Sequence, residues 1–355
     1  MPRVLVTRGR VAASLVFVVA VVGFLYFGLP KLVGFGASFK RLGHGDARWL
    51  AAAAVLEFLS YASYVALFRV VFVHDSARIS WKVSYQITMA SVAATRFFAA
   101  AGAGGIALTA WALRRAGMEP RLVAYRLIAF LTLLYGVYMG ALTLDGIGLY
   151  THILPGKAPF AITIIPTIFA LVVILAFLST ALLPEDLERL AASRAKKRGV
   201  IGAAARRLMA APQATAVGVR TAISLVRTGD PRVLGAIGNW AFDIATLWAC
   251  FHAFGYSPDA SVVVMAYFVG WFGNALPLPG GVGGVEGGMI GAFSVFGVSV
   301  QGAVVAVLAY RAFSFWLPTL PGGVAYFQLR RTVRRWEADN ASTPASSTQS
   351  AGEAV

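Results

Sequence analysis

The sequence predicts an all-α polytopic membrane protein, and three observations predict it. Of its 355 residues 58% are hydrophobic and only 13% charged, against about 25% charged in soluble domains. Apolar runs of membrane-spanning length recur along the chain, with arginine or lysine beside them. Within the apolar sequence lies Pro277-Leu278-Pro279-Gly280-Gly281-Val282-Gly283-Gly284-Val285-Glu286-Gly287-Gly288, where two prolines remove donors and the glycines loosen the backbone. Such a break is tolerated at membrane depth only where it is buried in protein or lines a polar cavity. A soluble domain is thereby excluded.

The elements follow in order. Arg3, Arg8 and Arg10 precede an apolar run at 11–29, too long for a signal peptide and without a nearby small-x-small cleavage site. It reads as a first, uncleaved span. Residues 47–72 form a second span, in which Glu57, Tyr61 and Tyr64 share one face at helical spacing. Residues 84–112 are a first irregular region, where Arg96 precedes Gly102-Ala103-Gly104-Gly105. Residues 122–150 and 160–183 are each long enough to cross.

Between 184 and 232 hydropathy falls and arginines accumulate, which predicts a cytoplasmic basic loop of one or two amphipathic helices at the inner leaflet. Residues 233–254 span again, 261–275 lead into the glycine loop, 289–296 leave it, and 300–320 form a last span. That makes about seven or eight membrane-crossing elements plus two broken or re-entrant hairpins. Residues 1–336 thus form one membrane domain, and the Ala/Ser/Thr-rich residues 337–355 a disordered tail.

The formal charge is +16. Because the basic residues flank apolar runs, anionic lipid headgroups account for them and nucleic acid does not. Both termini, the 184–232 loop and the cluster Arg330, Arg331, Arg334 and Arg335 are expected in the cytoplasm. The first hairpin then opens from the cytoplasmic side and the second from outside. Lys31, Lys40, Arg41 and Arg48 fall outside, against the rule. Gly102-Ala103-Gly104-Gly105 also matches Gly281-Val282-Gly283-Gly284, and two similar hairpins of opposite sense read as an inverted-topology repeat with its site at the junction.

Helix ends at a glycine loop present N–H groups suited to a phosphate. The candidate headgroup site is therefore Gly104 and Gly105 in the first loop, and Gly280, Gly281, Gly283 and Gly284 in the second. Arg96 and Arg311 would add charge-assisted bonds, while Glu286 and Asp243 are intramembrane acids. Glu286 has three readings: it takes a cationic headgroup, accepts a proton, or pairs with one of those arginines. The bland readings are helix packing, through Gly284-x-x-x-Gly288, and structural ion pairing. Glu57 and Asp145 are weaker candidates. The single cysteine, Cys250, forbids an intramolecular disulfide, and the four scattered histidines show no metal spacing. Neither glycine loop completes a dinucleotide fingerprint, and no Walker lysine, nucleophile elbow or HExxH is present.

Pro279-Gly280-Gly281-Val282-Gly283-Gly284-Val285-Glu286 resembles the PGGxGxxE signature of the lysylphosphatidylglycerol synthase transmembrane region, a flippase-like domain also found in stand-alone proteins of the UPF0104 group. The resemblance covers roughly residues 10–335. The first half departs from it: the family usually follows its arginine with a Pro-Gly-Gly-like element, whereas Arg96 is followed by Phe97-Phe98-Ala99-Ala100-Ala101. The resemblance implies a multi-pass protein of the bacterial inner membrane, without cofactors. It also implies a role in moving aminoacylated phosphatidylglycerol, and absence of the soluble synthase domain. The expected function is therefore translocation of an anionic or aminoacylated phospholipid, not enzymic catalysis. Two alternatives stand beside it: an accessory subunit of a lipid- or polyprenyl-linked glycosyl transfer system, and a scaffold docking a partner through the basic loop. Expected partners are membrane lipids, with a homo-oligomer and a membrane enzyme as further classes.

Overall fold

The computed structural model describes residues 43–73, 78–97, 103–182, 200–275 and 281–342. The expected first span at 11–29 lies outside them, as do Gly102, Gly280 and the prolines before it. Among the described residues all regular structure is helical, the form in which a single segment satisfies its own backbone in lipid. Five helical runs are long and apolar enough to cross a membrane: Ala47–Phe72, Pro120–Tyr150, Phe160–Ala181, Pro231–Ala253 and Val300–Asp339. The chain is a multi-pass membrane protein.

Helix α1 (Ala47–Phe72) begins where the Asp46 side chain accepts from Arg48 N at 2.8 Å, an ordinary N-cap. Helices α2 (Trp81–Phe97) and α3 (Ala103–Arg115) then fold back on each other. A Cβ on Gly105 would stand 2.7 Å from Ser91 O, so only glycine allows this approach. Ser91 Oγ and Thr109 Oγ1 bond across the same seam at 2.8 Å. Helices α4 (Pro120–Tyr150) and α5 (Phe160–Ala181) pack together as full-length spans. Helix α6 (Val200–Arg227) lies against both, burying Ala216, Val219 and Ala222. Within the expected basic loop, residues 200–227 therefore form one long helix, seated on the bundle through its buried apolar residues; residues 184–199 lie outside the described part.

A 3₁₀ turn (Pro231–Leu234) leads into α7 (Gly235–Ala253), which packs along α1. The second broken pair is α8 (Ala260–Trp271), a 3₁₀ turn (Phe272–Ala275) and α9 (Gly284–Val295). Glycines again set the spacing, because a Cβ on Gly270 would stand 2.8 Å from Met289 N. At 12 residues each, α8 and α9 extend about 18 Å, short of the ~30 Å hydrocarbon layer. Where α8 ends, the leftover Phe268 carbonyl accepts from Tyr138 Oη of α4 at 2.7 Å. Trp240 Nε1 of α7 donates to Leu134 O of α4 at 2.8 Å.

The last run comprises α10 (Val300–Arg311), a π-helical segment (Ala312–Trp316) and α11 (Leu317–Ser342). Pro318 has no N–H to offer Ser314 O four residues back, and Leu317 N–H reaches back five residues to Ala312 O, so the turn widens. Helix α11 pairs with α2 through Gly322, whose Cβ would lie 2.7 Å from Met89 O. Thr332 Oγ1 donates to Gln86 Oε1 of α2 at 3.1 Å. The helix continues well past residue 320, and residues 337–342, expected in the disordered tail, are helical. Glu337 is held there by an ion pair with Arg115. Residues 343–355 lie outside the described part.

These connections sort the chain into two ends. Arg69 bonds Ile79 O and Ser84 Oγ, Arg126 bonds Phe72 O, and Arg115 meets Glu337. This end gathers the arginines. At the other end Asp46 N donates to Ala253 O, Ser261 Oγ to Pro155 O, and Gly302 sits against Tyr256. The pair α2–α3 starts and finishes at the basic end, and α8–α9 at the other. Arg48 falls at the other end with Asp46.

Candidate functional site

The inner ends of the two broken pairs meet the π segment, and charged side chains converge there. Arg96, near the end of α2, is 8% exposed. Its Nη2 donates to Tyr61 Oη at 2.7 Å and to Ser314 O at 2.6 Å. Its Nη1 donates to Thr319 Oγ1 at 2.6 Å and to Phe315 O. Tyr61 Oη also donates to Ser314 O, at 3.1 Å. The reason lies in Pro318: the carbonyl it leaves unpaired is answered by a guanidinium and a phenol from elsewhere in the fold. A buried carbonyl must be paired somehow.

Arg311 closes α10 on the other side of this segment. Its Nε donates to Glu286 Oε1 at 2.7 Å, and Glu286 Oε2 accepts from Gly283 N at 2.7 Å. The carboxylate therefore fills the positive N-terminus of its own helix, α9, as the N3 half of a capping box. Gly283 itself has φ +87° and Gly281 φ +67°, a conformation glycine adopts without steric penalty. The Arg96 and Arg311 guanidinium carbons stand 4.9 and 4.5 Å from the centre of the Phe315 ring. Two cations thus share one aromatic surface.

The third group is acidic. Asp243 on α7 is 7% exposed and Glu57 on α1 is 3% exposed. Asp243 Oδ2 accepts from Tyr310 Oη at 3.0 Å and from Tyr267 Oη. Glu57 comes level with Asp243 where α1 packs along α7, in the register set by Ser60 Oγ donating to Asn239 O and Thr246 Oγ1 to Ala53 O. No donor meets Glu57 Oε2 or Asp243 Oδ1: two carboxyl groups face each other.

The structure thus brings together Arg96, Arg311, Glu286 and Asp243, and it answers which arginine Glu286 takes: Arg311. Gly281, Gly283 and Gly284 stand at the start of α9, while Gly284 and Gly288 also allow its close approach to Gly273 of the 3₁₀ turn and Gly270 of α8. Gly104 and Gly105 open α3 at the α2 seam. Gly280 lies outside the described residues. Tyr61, Tyr267, Tyr310, Thr319 and the Ser314 and Phe315 carbonyls join the site without having been expected there. Of these, Pro318 in the last span was the available sequence signal. Asp145 is buried in α4, apart from this group. Among the described residues no group of three or more His, Cys, Asp or Glu side chains could hold a metal ion.

A family profile described as the lysylphosphatidylglycerol synthase TM region matches residues 11–322. The chain is also similar to three proteins of Methanothermobacter thermautotrophicus (strain Delta H), each named as a UPF0104 membrane protein. The identities are 38% over 91 residues, 34% over 87 and 32% over 91. The first match covers 25% of this chain and 26% of that relative, so the chain spans about a quarter of the length of the curated relatives it matches. Family coverage from residue 11 to 322, over a helical bundle with five candidate spans, establishes that the chain belongs to the lysylphosphatidylglycerol synthase transmembrane-region family.

Proposed function

We propose that this protein translocates an anionic or aminoacylated phospholipid between leaflets, its headgroup passing the Arg96–Arg311–Glu286 group while its tails remain in lipid. One observation carries the reading: two arginines and three acids are gathered where two incomplete helix pairs meet between apolar spans. Intramembrane ionisable groups in such a junction mark substrate pathways. The pairs open at opposite ends of the bundle, which fits an inverted repeat of re-entrant hairpins. On this reading the arginine-rich end faces the cytoplasm. Glu286 acts as a stand-in anion: it occupies both Arg311 and the α9 N-terminus, and a headgroup phosphate would displace it from either.

The test is scrambling of fluorescent phosphatidylglycerol and lysyl-phosphatidylglycerol in proteoliposomes. The wild-type protein should exceed protein-free liposomes. Glu286→Gln weakens the charge on which the exchange depends, and should slow it by roughly tenfold or more, a barrier change of at least about 1.4 kcal/mol. Rates no faster than empty liposomes for every anionic lipid would refute translocation. Rates indifferent to Glu286→Gln would move the pathway elsewhere.

A further inference from the structure

We infer that Glu57 and Asp243 form a proton-binding site, sharing one proton between their facing carboxyl groups, and that this proton is carried together with the anionic headgroup. The second half rests on the translocation reading above. The first half stands on geometry alone.

Both side chains are more than nine-tenths buried, and each keeps one oxygen that no donor reaches. Two ionised carboxylates in contact repel strongly in a low-dielectric interior. One proton between them turns the repulsion into a hydrogen bond and satisfies both oxygens, as in other carboxyl dyads. The surroundings favour a single negative charge on the pair. Tyr267 of α8 and Tyr310 of α10 donate to Asp243, while the buried Thr246 hydroxyl of α7 is turned to Phe242 O and Ala53 O. Cys250, two turns on from Asp243 in α7, is buried. Tyr61 stands one turn on from Glu57 in α1 and holds Arg96, while Arg311 follows the Tyr310 that bonds Asp243.

The coupling follows from charge. Releasing the proton, to water reaching the site, adds a negative charge within reach of Arg96 and Arg311. These are the guanidinium groups an anionic headgroup would engage. A deprotonated dyad competes with the headgroup for them, and a protonated dyad does not. Proton and anion therefore favour each other's binding reciprocally, which is the logic of cotransport in one direction.

Infrared spectroscopy of the purified protein tests the site without any transport. At neutral pH the wild type should show a protonated-carboxyl stretch that shifts in heavy water, and both Glu57→Gln and Asp243→Asn should lose it. The amide in either variant supplies the donor that the proton supplied. No such band in the wild type, or one that persists in both variants, overturns the site. In proteoliposomes holding fluorescent phosphatidylglycerol, a pH gradient, acidic on the side of departure, should accelerate translocation in the wild type and in neither variant. Translocation that ignores the gradient overturns the coupling. A band lost in both variants with no translocation at all would uphold the dyad and remove the lipid reading.

Discussion

Arg96 and Pro318 form a matched pair, although they never share a hydrogen bond. The proline withholds the N–H that Ser314 O would ordinarily receive, and the arginine supplies the replacement at 2.6 Å. Leaving a buried acceptor unpaired costs about 1–3 kcal/mol. Arg96→Ala takes the guanidinium from the Ser314 and Phe315 carbonyls and leaves them only the Tyr61 and Thr319 hydroxyls, so thermal unfolding in detergent should show a loss of stability. Pro318→Ala restores a backbone donor and should recover part of the loss in the double variant, a coupling readable from a double-mutant cycle. Full additivity of the two changes would break the link. Neither partner was legible as such in the sequence. Arg96 stood out as an intramembrane charge, but its acceptors lie 218 and 219 positions away, and their availability depends on a π turn. Glu57 and Asp243 are likewise brought together only by the packing of α1 on α7. The Glu286–Arg311 pair was nearer to hand, since each stands out alone as a charge in apolar sequence.

Among the elements, the helix pairs α2–α3 and α8–α9 show that glycines of the same sequence do different work. A Cβ on Gly273 would collide with the Gly284 backbone, whereas Gly287 and Gly291 on α9 have open space around theirs. Gly273→Ala should therefore push the 3₁₀ turn away from α9 and destabilise the protein by about 1–3 kcal/mol, as overpacking against backbone leaves no flexible neighbour to yield. Gly287→Ala or Gly291→Ala should be neutral or stabilising by up to about 1 kcal/mol. Equal melting temperatures for all three would contradict this packing. Composition located the two breaks, because glycine, joined by proline in the second, interrupts apolar periodicity visibly. It could not say which glycines face a neighbour, as that depends on the rotation of each helix. Nor did it show α6 seated on α4 and α5, since an alanine stripe flanked by arginines suits a membrane surface as well as a protein one.

At the scale of the whole molecule, the clustering of Arg69, Arg115, Arg126 and the Arg330–Arg335 group at one end makes orientation measurable. In a Cys250→Ala background, cysteines placed at Glu119 and Arg330 should react with an impermeant reagent from one side of the membrane. Cysteines at His152 and Ser257 should react from the other, and a mixed pattern would overturn the arrangement of ends. The all-helical class and most spans were legible from hydropathy, because the membrane imposes length and composition directly. The continuity of the last run was not: its two prolines suggest an ending, yet helix resumes beyond them. That run has 12 residues before the π segment and 26 after it, arms of about 18 and 39 Å. Helix α9 packs against the short arm and α2 against the long one. Pivoting at the π segment would swing these neighbours in opposite senses, the outer tip travelling about twice as far as the inner. The joint that Arg96 fastens has the geometry of a fulcrum, and the final helical run that of an unequal-armed seesaw.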